Sequence, residues 1–499
     1  MLKKICIFIT FCTILFVGCG KKEQLKKDTL VYAQLSDPKT LDPQNSTDNY
    51  SQVAITQIYD RLFEIDEKTG IPIPSLVETS KKVNDNILEL KLKKNVKFSN
   101  GDILTSEDIK FTVERAKENP KVAHLYKMIE NIIILDDNTL QIITTEPFAP
   151  LLSHLSHKSS SIINKKEFNK NSDNYFKYPI GTGAYTVKNW IIGDSMTLVS
   201  NESYFKGNPS IKTVIIKAIP EENSRVIGLE TSEIDMALDI PAISWEQLEE
   251  DGKVKVYSAP STTTGYVGLN TKSPALSNKL LRQIIAMSID KQAIVDTIYL
   301  GKTKIANQFL SPPVFGYNHN SKPQEFNIEK AKQLVKENNL NGISLKISVS
   351  SPERVQVATI IQDQLKRVGI NLQIELLEWG AFLSQTGSGN TDLFIMGWGP
   401  STYDADYGYY PNVHSSQIGS NGNRAFYSNP EVDNLLELAR KESNDDKRKN
   451  YYNEIQYILN EDIPLIPLYH GNVVYGVSSN LKNVEATGYP EFYKYEFIN

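Results

Sequence analysis

Cysteine is all but missing from this chain: three in 499 residues, at positions 6, 12 and 19. The body beyond Cys19 therefore has no disulfide to staple it and no thiolate for catalysis or metal binding. Histidine is scarce as well, with six residues. No G-x-S-x-G, H-E-x-x-H or G-x-x-x-x-G-K-[ST] occurs, which removes the commonest hydrolase, zinc-protease and nucleotide-binding signatures. S-x-x-K occurs at Ser36–Lys39, Ser203–Lys206, Ser288–Lys291 and Ser479–Lys482, too often to carry information. Basic runs are lacking too. The net charge is −5, and it falls two units further without Lys3 and Lys4, so a nucleic-acid backbone finds no electrostatic footing. The one marked apolar run, Ile5 to Val17, has 13 residues, short of the roughly 20 that a membrane-spanning helix needs.

That run follows the basic "MLKK" and reads as an export signal over residues 1–18. Its end, "LFVGC", resembles a bacterial lipobox, with small Gly18 before Cys19 and Phe16 in place of the usual Leu. Cys19 is thereby the expected lipidation site and first mature residue. The lysine-rich stretch over 19–29 reads as a polar tether. These features predict a body held by lipid on the outer face of a membrane, at the cell surface or in the periplasm. The remaining composition, 40% hydrophobic and 23% charged, is that of a globular protein, and the length predicts two or three domains.

Strand-like and helix-like segments alternate along the body, with no internal repeat. "SQVAITQIYDRLFEI" sets Val53, Ile55, Ile58, Leu62 and Ile65 at helical spacing and predicts a helix. "ILELKLKKNVKFSNG" alternates as a half-buried strand. Thr105 and Asp108 are spaced as a capping box, placing a helix start near Ser106. Asp290 is the expected N-cap of the second of two consecutive helices, closed by Gly301. "ERVQVATIIQDQLKRVG" reads as a helix running into a strand with Ile370, Leu372, Ile374 and Leu376 on one face. Asn429 followed by Pro430 marks another helix start. Such alternation predicts α/β layers on mixed sheets. His154 and His157, three apart, could share a helical metal site; in "LLSHLSHKSSS" the simpler reading is two solvated histidines.

Three stretches, "VKFSNGDILTSEDIKFTVERA", "YPIGTGAYTVKNW" and "VGLNTKSPALSNKLLRQIIAMSIDKQAIV", resemble signatures of the large extracytoplasmic solute-binding proteins that serve ABC importers of peptides and nickel. "LSDPKTLDPQ", "YSNPEVDNLLELAR" and "IPLIPLY" extend the resemblance from about residue 30 to the C-terminus. It implies a two-lobed periplasmic-binding-protein fold of the three-subdomain type. Lobe I would comprise 30–66, 179–265 and 474–499, with a small subdomain inserted at 67–178 and lobe II at 266–473. The lobes would hinge shut on a ligand.

The resemblance also implies a site. "GWGPSTYDADYG" matches the region where peptide binders place a tryptophan and an Asp-Tyr pair, and looks closer to a glutathione-binding branch. Asp406 with Tyr407 is the matching pair, Asp404 is the alternative, and either is expected to receive a ligand's α-ammonium beside Trp398 and Tyr403. A buried ammonium needs such a partner, and aromatic faces favour cations. The competing reading is a solvated acidic loop. Arg354 resembles the arginine that dipeptide binders present to a carboxylate. Thr182 and Gly183 form an expected tight turn at ligand or hinge, and Tyr266 and Asn270 are expected at the crossover. The implied partners are a short peptide and permease subunits, with no nucleic acid, no cofactor and a monomeric chain. A nickel or metallophore receptor, with His414 the nearby imidazole, is the alternative within the fold. A secreted hydrolase is the alternative outside it, and no nucleophile and base are assembled for one.

Overall fold

The computed structural model describes residues 27–46, 48–322, 324–420 and 422–498. The leader, Cys19 and the tether up to residue 26 lie outside the described residues. Lys27, expected in the tether, is already tied to Asp235 at 2.5 Å, and the first strand, Thr29–Gln34, begins two residues later.

Among the described residues, eleven strands join in one mixed sheet. At one end lie Asn371–Leu376, Ser344–Val349 and Leu393–Trp398. At the other lie Met236–Leu238, Thr29–Gln34, Thr213–Ala218, Ser195–Ser200 and Tyr185–Ile191. Two long antiparallel strands, Val254–Leu269 and Leu465–Ser478, stand between the ends and connect them. Their register runs from Val254↔Ser478 to Pro260↔Asn472, breaks, and resumes at Thr264↔His470. Residues 261–263 are thus an unpaired bulge in the middle of the ladder.

The buried apolar residues divide accordingly. Val267, Ile284, Ile347 and Ile361 centre one core, with Phe394, Tyr409 and Leu436 in a second cluster of the same half. Leu30, Tyr32, Leu198, Tyr475 and Phe492 centre another, drawing on both ends of the chain. Leu90, Ile109, Val113 and Ile142 fill a third. It lies under the four-stranded antiparallel sheet of Val77–Asn84, Ile87–Leu92, Thr139–Thr144 and Ile129–Asp136. Each fully buried Leu or Ile contributes about 1.5–3 kcal/mol.

Local signals position the helices as expected. The Thr105 amide donates to Asp108 Oδ2 at 3.0 Å where Ser106–Glu118 begins. Asp290 Oδ1 accepts from the Ala293 amide at 3.1 Å, and Gly301 closes the segment at φ +71°. The helix expected over residues 51–65 is corrected. It runs Asn49–Ile58, turns extended at Tyr59, and Phe63–Asp66 is a strand paired with Ile71–Pro74. The cause is tertiary: the Ile58 carbonyl, which a further helical turn would use, accepts from the Gly183 amide at 2.9 Å. The turn through Gly181 and Gly183 packs directly on that helix end. A Cβ at Gly183 would lie 2.4 Å from the Gln57 carbonyl oxygen.

Gly183→Ala is therefore expected to cost about 1–3 kcal/mol through overpacking against backbone that cannot yield. Urea unfolding of the two proteins measures it, and an unchanged midpoint would contradict the close approach.

Candidate functional site

Where the three cores meet, the chain leaves a cleft of about 710 Å³, within the roughly 300–1,000 Å³ of small-ligand sites. Its walls come from the 48–68 segment, from residues near His124 and Lys158, from the bulge at 261–263, from the 399–407 loop and from 485–494. The bulge thus sits at the cleft wall, at the point where the two long strands pass between cores.

The lining is polar and carries both signs of charge. Glu64 pairs with Lys206 at 2.5 Å and accepts from Ser75 Oγ at 2.9 Å. Burial alone would raise its pKa, but Lys206 and then Arg61 outweigh it and hold the group at about 2. Glu67 accepts from the Gly488 amide at 2.6 Å. Burial raises its pKa, with Lys158, that amide and the Tyr403 hydroxyl opposing. Lys158 Nζ stands 4.5 Å from the centre of the Tyr489 ring. Arg61 faces the same space.

Of the residues singled out from the sequence, Tyr403, Tyr407 and His157 line the cleft. Tyr403 is held at φ +56°, and its carbonyl accepts from the Phe315 amide at 2.8 Å. Tyr407 stacks on His124 with centroids 5.7 Å apart. Trp398 supports Tyr407 from behind, its indole N–H donating to the Tyr407 carbonyl at 3.0 Å.

The two aspartates do neither of the things expected of them. Each is almost fully buried, Asp404 2% and Asp406 1% exposed, so neither belongs to a solvated loop. Neither lines the cleft, because the chain supplies each with its own cation. Asp404 caps the helix Ala405–Val413 and receives Arg448 Nη2 at 2.8 Å. Asp406 receives Arg440 Nε at 2.7 Å and Nη2 at 3.3 Å. Burial would raise the Asp406 pKa, but Arg440 and then His154, whose Nε2 lies 3.7 Å away, hold it well below the usual carboxylate range. The arginines lie 34 and 44 positions downstream, on helices Pro430–Lys441 and Asp445–Asp462.

The other candidates also have internal roles. Arg354 donates to Ser350 Oγ at 2.7 Å and lies outside the cleft lining. Thr182 donates to Asp60 Oδ2 at 2.9 Å behind the wall. Tyr266 is core, edge-on to Phe309 at 5.1 Å. Asn270 donates to the Gly389 and Thr391 carbonyls at 3.0 and 2.9 Å. His414 stacks on Tyr410 at 4.3 Å, away from the cleft. His154 is buried, its Nδ1 bonding to the Leu125 carbonyl, whereas His157 is half-buried at the cleft wall with Nδ1 on Ser159 Oγ, both at 2.7 Å. Among the described residues no cluster of three or more His, Cys, Asp or Glu could hold a metal ion.

Sequence reasoning passed over Arg61, Glu64, Glu67, Lys158 and Tyr489. The first three sit in "YDRLFEIDE", whose dense opposed charges were the available signal, masked by reading the segment as helix. A seam beside the cleft joins the 146–149 stretch to the end of the Pro430–Lys441 helix largely through polar contacts, with Arg440 also lying over the Phe148 ring. The Ala149 amide donates to the Arg440 carbonyl at 2.7 Å, and Lys441 pairs with Glu146 at 2.7 Å. His124 Nε2 meets the Tyr407 hydroxyl at 3.2 Å.

The model of the bacterial extracellular solute-binding proteins, family 5, middle region, matches residues 72–420. The oligopeptide-binding protein AppA of Bacillus subtilis is 28% identical over 93% of this chain and 90% of that protein. The glutathione-binding protein GsiB of Escherichia coli K12 is 27% identical over 91% of each. The periplasmic binding protein DppA of Helicobacter pylori, solved with the peptide STSA, superposes with a TM-score of 0.81. It is 27% identical over 95% of this chain and 98% of that one.

Two outcomes check the assignment of the aspartates. Asp404→Asn leaves Arg448 buried and unpaired, and is expected to cost about 3–5 kcal/mol of stability, read by denaturant unfolding. Asp406, with its pKa depressed in the fold, stabilises above the ordinary carboxylate range, and that contribution is lost as pH falls through and below about 4. Asp406→Asn is therefore expected to flatten the acid limb of the Tm-against-pH curve. A parallel, merely shifted curve would contradict the pairing.

Proposed function

This chain belongs to the bacterial extracellular solute-binding proteins of family 5, proteins of transport that bind solutes and do not catalyse, and we propose that its solute is a short peptide. The ligand lies in the cleft where the three cores meet, and the protein delivers it unaltered to the permease of an ABC importer. One observation carries this reading: a cleft of about 710 Å³ that holds carboxylates, cations and tyrosine rings together. An amphoteric solute finds a partner there for each of its ends, and its apolar side chains find aromatic faces. Relatives that bind oligopeptides, glutathione and a tetrapeptide support the same class. Di- to oligopeptides are the expected range, with glutathione among the candidates.

The polar walls suit loose side-chain preference, since water between ligand and wall accepts many shapes. Motion about the long crossing strands at the 261–263 bulge is the expected means of enclosing the ligand. Cys19 carries the lipid that keeps the body at the outer face of the membrane, within diffusion of its permease.

Mass spectrometry of the protein purified without added ligand is expected to find co-purified peptides of a few residues; a metal chelate or nothing at all speaks against the reading. Cys19→Ser is expected to move the protein from the membrane to the soluble fraction. If the variant stays with membranes, the lipid assignment falls.

A further inference from the structure

Of the four buried arginines among the described residues, three make side-chain hydrogen bonds through at least one guanidinium nitrogen. Arg225 donates to the Ile219 and Asp239 carbonyls at 2.8 and 3.0 Å. Arg282 donates to the Asp462 carbonyl at 2.7 Å, and Arg448 to Asp404. Arg61 is as buried as Arg282, 6% exposed; its Nε is enclosed without a partner, as is that of Arg225, but unlike Arg225 it has no bond from either Nη among the described residues. Among the described residues no carboxylate oxygen comes within 4 Å of its guanidinium. Arg61 is fixed by its backbone, whose carbonyl accepts from the Leu76 amide at 3.2 Å, while its side chain faces the cleft.

A second cation shares that space in the same condition. Lys158 lines the cleft over the Tyr489 ring, and no carboxylate among the described residues lies within 4 Å of Nζ. The acids around the two cations are engaged elsewhere. Glu64 holds Lys206, Glu67 holds the Gly488 amide, Glu491 holds Lys494 at 2.5 Å, and Asp60 holds Thr182. They feel the field of Arg61 and Lys158 without contacting either. Burial, and then Arg61, push the Lys158 pKa down to about 7 despite Glu67, Glu64 and Glu491. Two cations face one cavity with no anion in contact with either, a costly arrangement, and a ligand group entering there would satisfy the enclosed Nε of Arg61.

We propose that Arg61 and Lys158 form the carboxylate-binding end of the cleft. The ligand's carboxylate lies against the Arg61 fork with Lys158 Nζ beside it, above the Tyr489 ring. A planar guanidinium matches a carboxylate bidentately, and the ammonium adds a point charge. The engaged acids nearby disfavour a dianion such as phosphate and favour a singly charged group on an amphoteric ligand. This assignment builds on the peptide reading. It gives the anion-binding role to 61 and 158, and none to Arg354. The carboxylate is either a free C-terminus or an acidic side chain.

The test uses the full-length chain, its Arg61→Gln, Arg61→Lys and Lys158→Gln variants, and three randomised tripeptide pools read by native mass spectrometry. One pool has free C-termini. A second is C-terminally amidated and lacks Asp and Glu; a third is amidated and contains them. The parent is expected to retain the free-acid pool and reject the second. Arg61→Gln should weaken retention roughly 10- to 100-fold, with Arg61→Lys between. Retention of the third pool, lost in Arg61→Gln, assigns the carboxylate to a side chain. Undiminished retention by Arg61→Gln and Lys158→Gln overturns the proposal and leaves the peptide reading standing. If the parent retains no pool, the peptide reading fails, and succinate decides the rest. A rise in the parent's Tm with succinate that Arg61→Gln lacks keeps the carboxylate site; no such difference removes it. Ligand-free Arg61→Gln is expected to melt within a few degrees of the parent, since the repulsion it relieves at Lys158 offsets the attraction it loses from Glu64. A fall of more than a few degrees would show an internal partner and sink the assignment.

Discussion

The antiparallel ladder between Val254–Leu269 and Leu465–Ser478 is the constraint on which the rest of this molecule depends. It carries the chain between cores that otherwise share little, since one gathers both chain ends and the other lies on residues from 266 onward. Backbone hydrogen bonds are directional and hard to stretch, so the ladder fixes the spacing of the walls. Its wider interruption, at 261–263, is followed by a second register shift between Gly265 and Tyr266, so the bonds are relaxed along this short stretch. Around the gap, side chains take over: Ser311 Oγ donates to the Ser261 carbonyl, and Thr264 Oγ1 meets His470 Nδ1 at 2.9 Å. Pro260, with no amide to offer, stands at its edge. The cleft wall is built from that stretch, so the geometry of the pocket is inherited from a local defect in pairing.

Charge is distributed with the same economy. In the 399–407 loop the acids belong to the interior. Asp404 and Asp406 close onto Arg448 and Arg440 and fasten the loop to two helices far along the chain. That fastening orients Tyr403 and Tyr407 toward the cavity. The loop therefore contributes aromatic surface to the site while its carboxylates serve as scaffolding. Across the cleft the pattern inverts: the acids of the 60–67 segment are satisfied, and Arg61 is not.

What could be read from the residues alone divides along physical lines. Capping at Thr105, Asp290 and Asn429 was legible because a cap involves atoms two or three positions apart. The α/β class was legible for the same reason, as periodicity is local. The helix over 51–65 was misjudged at its end because Ile58 meets Gly183, more than a hundred positions away. The aspartates illustrate the limit best. Two acids among tyrosines resemble a cation receptor, and nothing within ten residues reveals that arginines 34 and 44 positions on will occupy them. Arg61 was hidden by the opposite problem: a charged residue in a charged segment looks solvated until the fold encloses it.

The seam between the Glu146–Ala149 stretch and the Arg440–Lys441 helix end carries a final implication. Besides the Arg440 guanidinium over the Phe148 ring, its contacts are an amide on a carbonyl, an ammonium on a carboxylate, and a hydroxyl on an imidazole. Water can replace each of these at nearly equal free energy, whereas an apolar seam of the same extent would resist wetting. Contacts of this kind cost little to part and to remake, so a solute bound beside them would need to supply only a small bias to favour the joined arrangement.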